Sequence, residues 1–194
     1  MATIDTNSLK VRIDEGMLRD LRRDLSHIKN GSNKAMSRAI NHTLGVTRTE
    51  ASTQIRKQVK LKAGYVRERL KIRKATVNKL QGAIRTPSRG VLLSRFPNRA
   101  YKRGGIGVQV KPSGGKKRMP GAFFIGPLKN SGVMAIAIRT QHGPGLGRSG
   151  GLKITYGPSV SQVFTDVKDD LQAPSGNRLM QRLAYEADRL LKRQ

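Results

Sequence analysis

Apolar residues recur at helical spacing through the first third of the chain. Leu9, Val11 and Ile13 alternate with Lys10 and Arg12, which predicts a short strand at the start. Asp14 can cap a helix reaching about Asn30, with Met17, Leu18, Leu21, Leu25 and Ile28 on one face and Asn30-Gly31 as its stop. Ser32 or Asn33 can cap a longer helix to about Val59. Its apolar side is Met36, Ala39, Ile40, Thr43, Leu44, Thr47, Ala51, Ile55 and Val59. The small residues Ala35, Ser37, Ala39, Ala51 and Ser52 point to close packing against a neighbour, and Gly45 weakens the middle of the helix by about 1 kcal/mol relative to Ala. A short helix at Ala63–Leu70 follows.

The texture changes near Ala75. Between Gly82 and Pro158 lie sixteen of the 21 glycines and seven of the eight prolines, which rules out long helices there. Short β-compatible runs stand between the breakers: Gly82–Thr86, Val91–Phe96, Ile106–Val110, Ala122–Ile125, Val133–Arg139 and Leu152–Tyr156. Their spacing predicts hairpins in one small sheet. The stretches Asn98–Gly105, Ser113–Pro120 and His142–Gly151 read as glycine-rich loops. The Pro-Gly turn in Met119–Phe124 stands beside three apolar residues, so this segment is expected to pack against the body and fix the basic loop before it. Helix returns over Ser159–Leu171, with Val160, Val163, Phe164 and Val167 on one face. Pro174-Ser175 reads as a break. A last helix, about Asn177–Arg193, would bury Leu179, Met180, Leu183, Ala187, Leu190 and Leu191.

The order strand, helices, glycine-rich strands, helices defines an α+β fold, not alternating βαβ. The expected organisation is one domain over residues 1–194, with N-terminal helices including one long helix, a basic antiparallel β region, and C-terminal helices. Long basic loops fall at about 98–120 and 142–151. No apolar run is long enough for a spanning helix, and the N-terminus lacks the pattern of a signal peptide.

Charge sharpens the picture. The formal net charge is +27, and not one acidic residue lies between Glu68 and Asp166. That window is half the chain and holds nineteen Lys/Arg. A surface of a single sign over such a length calls for a polyanionic partner. Two basic clusters stand out in glycine-rich surroundings: Arg99, Lys102 and Arg103, then Lys116, Lys117 and Arg118. Arg148 adds a charge in the third loop. Glycine lets backbone N–H groups approach phosphate while Lys and Arg supply charge. Only Tyr101 among the aromatics sits inside a basic cluster, so sequence-blind contact with a duplex backbone fits better than base stacking.

Enzyme chemistry is poorly served. The three histidines, His27, His42 and His142, show no metal-ligand spacing, and Asp166, Asp169 and Asp170 read as the solvated face of a helix. Gly145–Gly150 matches GxGxxG but lacks the strand before and the helix after, so no dinucleotide site is assigned. Gly114-Gly115-Lys116-Lys117 fails the phosphate-loop frame. No cofactor or metal is implied. The absence of cysteine removes disulfides and thiolate metal sites.

Four segments, in order, resemble the minor tail protein Z family of lambda-like phages. They are Ala35-Met36-Ser37-Arg38-Ala39-Ile40-Asn41; Val66-Arg67-Glu68-Arg69-Leu70-Lys71 running into Arg73-Lys74-Ala75-Thr76-Val77; Met119-Pro120-Gly121-Ala122-Phe123 followed by Lys129-Asn130 and the Val133–Arg139 run; and Ile154-Thr155-Tyr156-Gly157-Pro158-Ser159-Val160 leading into Val163-Phe164. The resemblance implies a structural virion protein without catalytic residues, made in the host cytoplasm and placed at the head-proximal end of the tail. It also implies a role in tail completion and in positioning the genome's DNA end. Its partners would be tail terminator and neck or connector proteins, the double-stranded DNA backbone, and further copies in a ring, six by the symmetry of tails. The competing reading from charge is a non-virion basic nucleic-acid-binding protein, ribosome-associated or chromatin-like.

Overall fold

The computed structural model describes residues 8–11, 15–28, 30–129, 132–140 and 150–192. The fold is α+β: β1 (Ser8–Val11), α1 (Glu15–Asp24), α2 (Gly31–Gln58) and α3 (Ala63–Arg69) lead into strands β2 to β11, and α4 (Val160–Leu191) closes the chain.

Helix α2 follows its apolar pattern throughout. All nine positions on the predicted face are buried, and Ala35, Ser37 and Ser52 are buried with them. Small side chains on that face let α4 approach closely, and α2 against α4 is the most extensive packing between elements. The start of α2 differs from expectation. Asn30, not Ser32 or Asn33, takes the capping position, in the left-handed region at φ 56° that Asn tolerates. Helix α1 ends at Asp24, earlier than Asn30, and a turn carries Leu25 and Ile28 onto the core.

One helix replaces the two expected at the C-terminus. α4 runs unbroken through Pro174. Proline in a helix interior removes an N–H bond and costs about 3 kcal/mol. Here the ring lies on the exposed side, while Val160, Phe164, Val167, Leu171, Ser175, Leu179 and Leu183 form a buried stripe that stays in phase across it. Packing of that stripe on α2 outweighs the local break. Beyond the proline, Arg178 grips Glu50 of α2 with both nitrogens, Nη1 to Oε2 at 3.0 Å and Nη2 to Oε1 at 2.6 Å. Near the end the stripe thins: Met180 is half-buried and Leu191 is exposed. The start of α4 is a capping box, with Ser159 Oγ accepting from Gln162 N–H at 3.0 Å and Gln162 Oε1 accepting from Ser159 N–H at 2.9 Å.

The strands form four small antiparallel sheets rather than one. The first, ordered β1-β3-β2, joins the N-terminal strand to β3 (Gly82–Arg85) and to β2 (Lys71–Arg73), a strand absent from the sequence reading. Gly82 lies against α2; a Cβ there would come within 2.4 Å of Leu44 Cδ1 and 2.8 Å of Ile40 Cγ2. The second sheet, β10-β9-β8, is built from β8 (Phe123–Ile125), β9 (Ala135–Arg139) and β10 (Leu152–Ile154). In the third, β4 (Val91–Leu92) pairs with β11 (Tyr156–Gly157). The Val91–Phe96 run is thus a strand only at its start, continuing as a 3₁₀ turn at Leu93–Arg95. The fourth sheet is β5 (Asn98–Ala100), β6 (Ile106–Val108) and β7 (Lys117–Met119). Two stretches that read as loops therefore carry strands.

A single buried cluster runs from Leu21 of α1 through α2, α3 and the strands to Leu183 of α4. Two residues from the resembling segments meet directly: Asn41 on α2 donates Nδ2 to Ala75 O at 2.9 Å and accepts from Ala75 N–H at 2.8 Å. Among the described residues no helix is long and apolar enough to cross a membrane.

Candidate functional site: a basic three-stranded sheet

The two basic clusters seen in the sequence are neighbouring strands of one sheet. β5 pairs with β6 and β6 with β7, in a register that sets Arg99 opposite Gly107 and Gly107 opposite Arg118. Directly opposed residues share a face. Ile106 and Val108, flanking Gly107, are buried in the core. Arg99 and Arg118 therefore share the outer face of the sheet, across a strand that offers only a glycine between them.

Tyr101 fills the space above that glycine. A Cβ on Gly107 would meet Tyr101 Oη at 2.6 Å and Cε2 at 2.8 Å. Arg118 lies over the same ring, 5.3 Å from its centroid. Its Nη2 donates to Arg103 O at 3.0 Å and to Gly104 O at 2.8 Å. The guanidinium is thus held beside the ring and by two carbonyls, and among the described residues its Nε and Nη1 have no hydrogen-bond partner, which leaves them for a ligand. The carbonyls are presented by the turn between β5 and β6, where Gly104 and Gly105 adopt φ 78° and 83°, a region favouring glycine.

The other predicted residues occupy the margins. Lys102 and Arg103 are exposed in the β5–β6 turn, and Lys116 is exposed just before β7. Lys117 pairs with Val108 and so lies on the opposite face from Arg118. It lines an apolar cleft with Leu93, Val110 and Met119. Arg148 lies outside the described residues. The sheet thus brings Arg99, Arg103 and Arg118 together and turns Lys117 away. Sequence reading missed the roles of Gly107 and of Arg118 as a brace, because both depend on register between strands.

The turn after β7 has the expected form. Gly121 takes φ 73° after Pro120, and Ala122 N–H reaches Met119 O at 3.3 Å. The packing does not match expectation. Ala122 is buried, but Phe123 and Phe124 are each 37% exposed. β8 is the edge of its sheet and has a neighbour on one side only, so the rings stay partly open.

Within the described elements acids are confined to the helices, whereas Lys and Arg occur on helices and strands alike. Every Asp and Glu in a described element sits on a helix, and no strand carries one. Glu186, 2% exposed, meets Arg182 at 2.7 Å and Arg189 at 3.8 Å on its own helix and Arg38 of α2 at 3.9 Å. Asp188 accepts from Lys192 Nζ at 2.7 Å, and this hydrogen bond and charge raise the Lys192 ammonium above its ordinary pKa. Asp166, Asp169 and Asp170 are exposed on α4. Among the described residues no group of three or more His, Cys, Asp or Glu is placed to hold a metal ion.

The architecture and the charge define a basic α+β protein. The chain belongs to the prophage minor tail protein Z family, whose family model matches residues 16–194. No curated protein and no solved structure matches the chain.

Proposed function

We propose that this tail protein sits at the head-proximal end of the tail, where it completes the tail and holds the leading end of the genome. The observation that carries the reading is the basic sheet. Arg99 and Arg118 share its outer face, Lys102, Arg103 and Lys116 fringe it, and no acidic residue lies anywhere between Glu68 and Asp166. A channel lined this way attracts the phosphate backbone of duplex DNA without reading its sequence, since nothing here enters a groove to meet base edges. In this reading the copies form a ring, six by tail symmetry, against tail terminator and neck or connector proteins. The protein works by positioning, and no step of catalysis is assigned to it.

Labelling the chain in purified particles and imaging them by electron microscopy tests the placement. Label at the junction of head and tail is the expected result. Label at the distal tip, or particles that lack the chain, would overturn it.

A further inference from the structure

Away from the β5–β6–β7 sheet, the fold encloses a second cationic feature that serves no purpose in the reading above. A cavity of about 420 Å³ is lined by residues from α3, the 87–95 stretch, Leu128, Lys129 and Val133, and from β10, β11 and the start of α4. This volume falls within the range of ligand pockets. Its apolar lining is Val91, Leu92, Leu128, Val133, Ile154 and Val160, and its cations are Arg69, Arg89, Arg95 and Lys129. Among the described residues no acidic one lines it.

The two tyrosines of this cavity are already engaged. Arg69 lies 5.0 Å and Arg95 5.3 Å from the centroid of the Tyr65 ring. Arg89 lies 5.9 Å from the Tyr156 ring and donates Nη2 to Tyr156 Oη at 3.4 Å. An arginine stacked on a ring keeps its in-plane N–H fork for a carboxylate. A nucleic-acid base, by contrast, needs an open aromatic face, and the Tyr65 ring already has two guanidiniums within 5.3 Å of its centroid. Aliphatic walls with a cationic rim complement a ligand that is apolar at its centre and acidic at its flanks.

We infer that this cavity docks a short acidic, amphipathic peptide segment of another tail component. One or two apolar side chains fill the aliphatic part, and flanking Asp or Glu carboxylates meet Arg69, Arg89, Arg95 and Lys129. The identity of the partner rests on the family's place in the tail; the chemistry of the cavity is independent of the DNA reading.

The test uses a short fluorescent peptide of alternating Asp/Glu and Leu/Phe, with two comparison probes: the same peptide with Ser for Leu/Phe, and a short oligothymidylate. Fluorescence polarisation should show the amphipathic peptide binding well above the Ser peptide. Arg89→Glu with Lys129→Glu should weaken it at least about tenfold, as rim charge reversal does at complementary interfaces. Lys129→Glu alone changes one exposed side chain and serves if the double variant melts early. Lys116→Gln with Lys117→Gln should leave peptide binding unchanged, which separates this site from the basic sheet. Three results would overturn the inference: no binding of the amphipathic peptide, binding indifferent to the rim variants, or equal binding of oligothymidylate with the same sensitivity to them.

Discussion

Thr47 on α2 and Ser175 on α4 share a hydrogen bond between their hydroxyl oxygens, 2.7 Å apart, in the buried seam between the two longest helices. Ser175 directly follows the proline that a local reading takes as a helix end. The bond supplies a fixed polar point where the backbone of α4 has lost an N–H donor. Removing one partner strands the other hydroxyl away from water, which costs about 1–3 kcal/mol. Thr47→Val and Ser175→Ala should each lower stability by that amount in urea titrations. The double variant should cost less than their sum, because no orphaned hydroxyl remains.

Glu186 offers a sharper test of the same seam. Its carboxylate faces Arg38 of α2 and Arg182 and Arg189 of its own helix. Breaking a buried ion pair typically costs about 3–5 kcal/mol, but these arginines remain partly exposed and can be rehydrated. Glu186→Ala is therefore expected to cost about 2 kcal/mol, below that range. High salt should recover part of the loss by screening the three guanidiniums, as read from melting temperature against ionic strength.

Two phenylalanines of equal size should behave differently. Phe164 is fully buried and Phe123 is partly open at the edge of its sheet. Phe164→Ala should cost about 3–5 kcal/mol, and Phe123→Ala about 1 kcal/mol. Parallel thermal melts of the two variants decide this; equal losses would mean that Phe123 is buried in solution.

The proposed DNA contact is read through salt. Each neutralised phosphate adds about 0.9 to the slope of log affinity against log salt on duplex DNA. Replacing Lys116 and Arg118 by Gln should flatten the slope by up to about 2 units and weaken all sequences alike, whereas Lys117→Gln, on the other face, should leave it nearly unchanged. Lys116 should act by charge alone. Arg118→Gln also frees the turn at Arg103 and Gly104, so its loss of affinity should exceed its share of the slope. An unchanged slope would assign the sheet to protein contacts.

The proposal that residues 1–194 fold as one domain makes a calorimetric prediction. The buried cluster joins all four helices to the strands without a gap, so unfolding should give a single cooperative transition. Two resolved peaks, with a break near Ala75, would show separate units.

Helix α2 was legible because its burial has one period and one partner: each apolar position from Met36 to Val59 followed from spacing alone. Pro174 was misleading because the proline rule is local, whereas the stripe from Leu171 to Leu179 is set by α2. Strand β2 was invisible because Lys71-Ile72-Arg73 has too few residues for alternation to register. The division into four sheets depends on pairings such as Ser8 with Arg85 and Gly157 with Val91, which no local pattern encodes. The same limit applies to the candidate site. Its residue types were readable as two basic clusters, but that Arg99 and Arg118 share a face while Lys117 turns away follows only from register. The cavity around Tyr65 and Tyr156 draws on distant stretches of chain, and of its contacts only Tyr65 and Arg69 are close enough in sequence to suggest one another.

With the Asp and Glu of the described elements confined to the helices, the strands carry their positive charge unopposed. In the field of a polyanion such a body feels a torque before it feels a contact, so it arrives already turned with the strands forward. The field falls off over about 10 Å at 0.1 M salt, and this pre-alignment therefore acts only in the final approach. It narrows the orientational search that otherwise slows protein association.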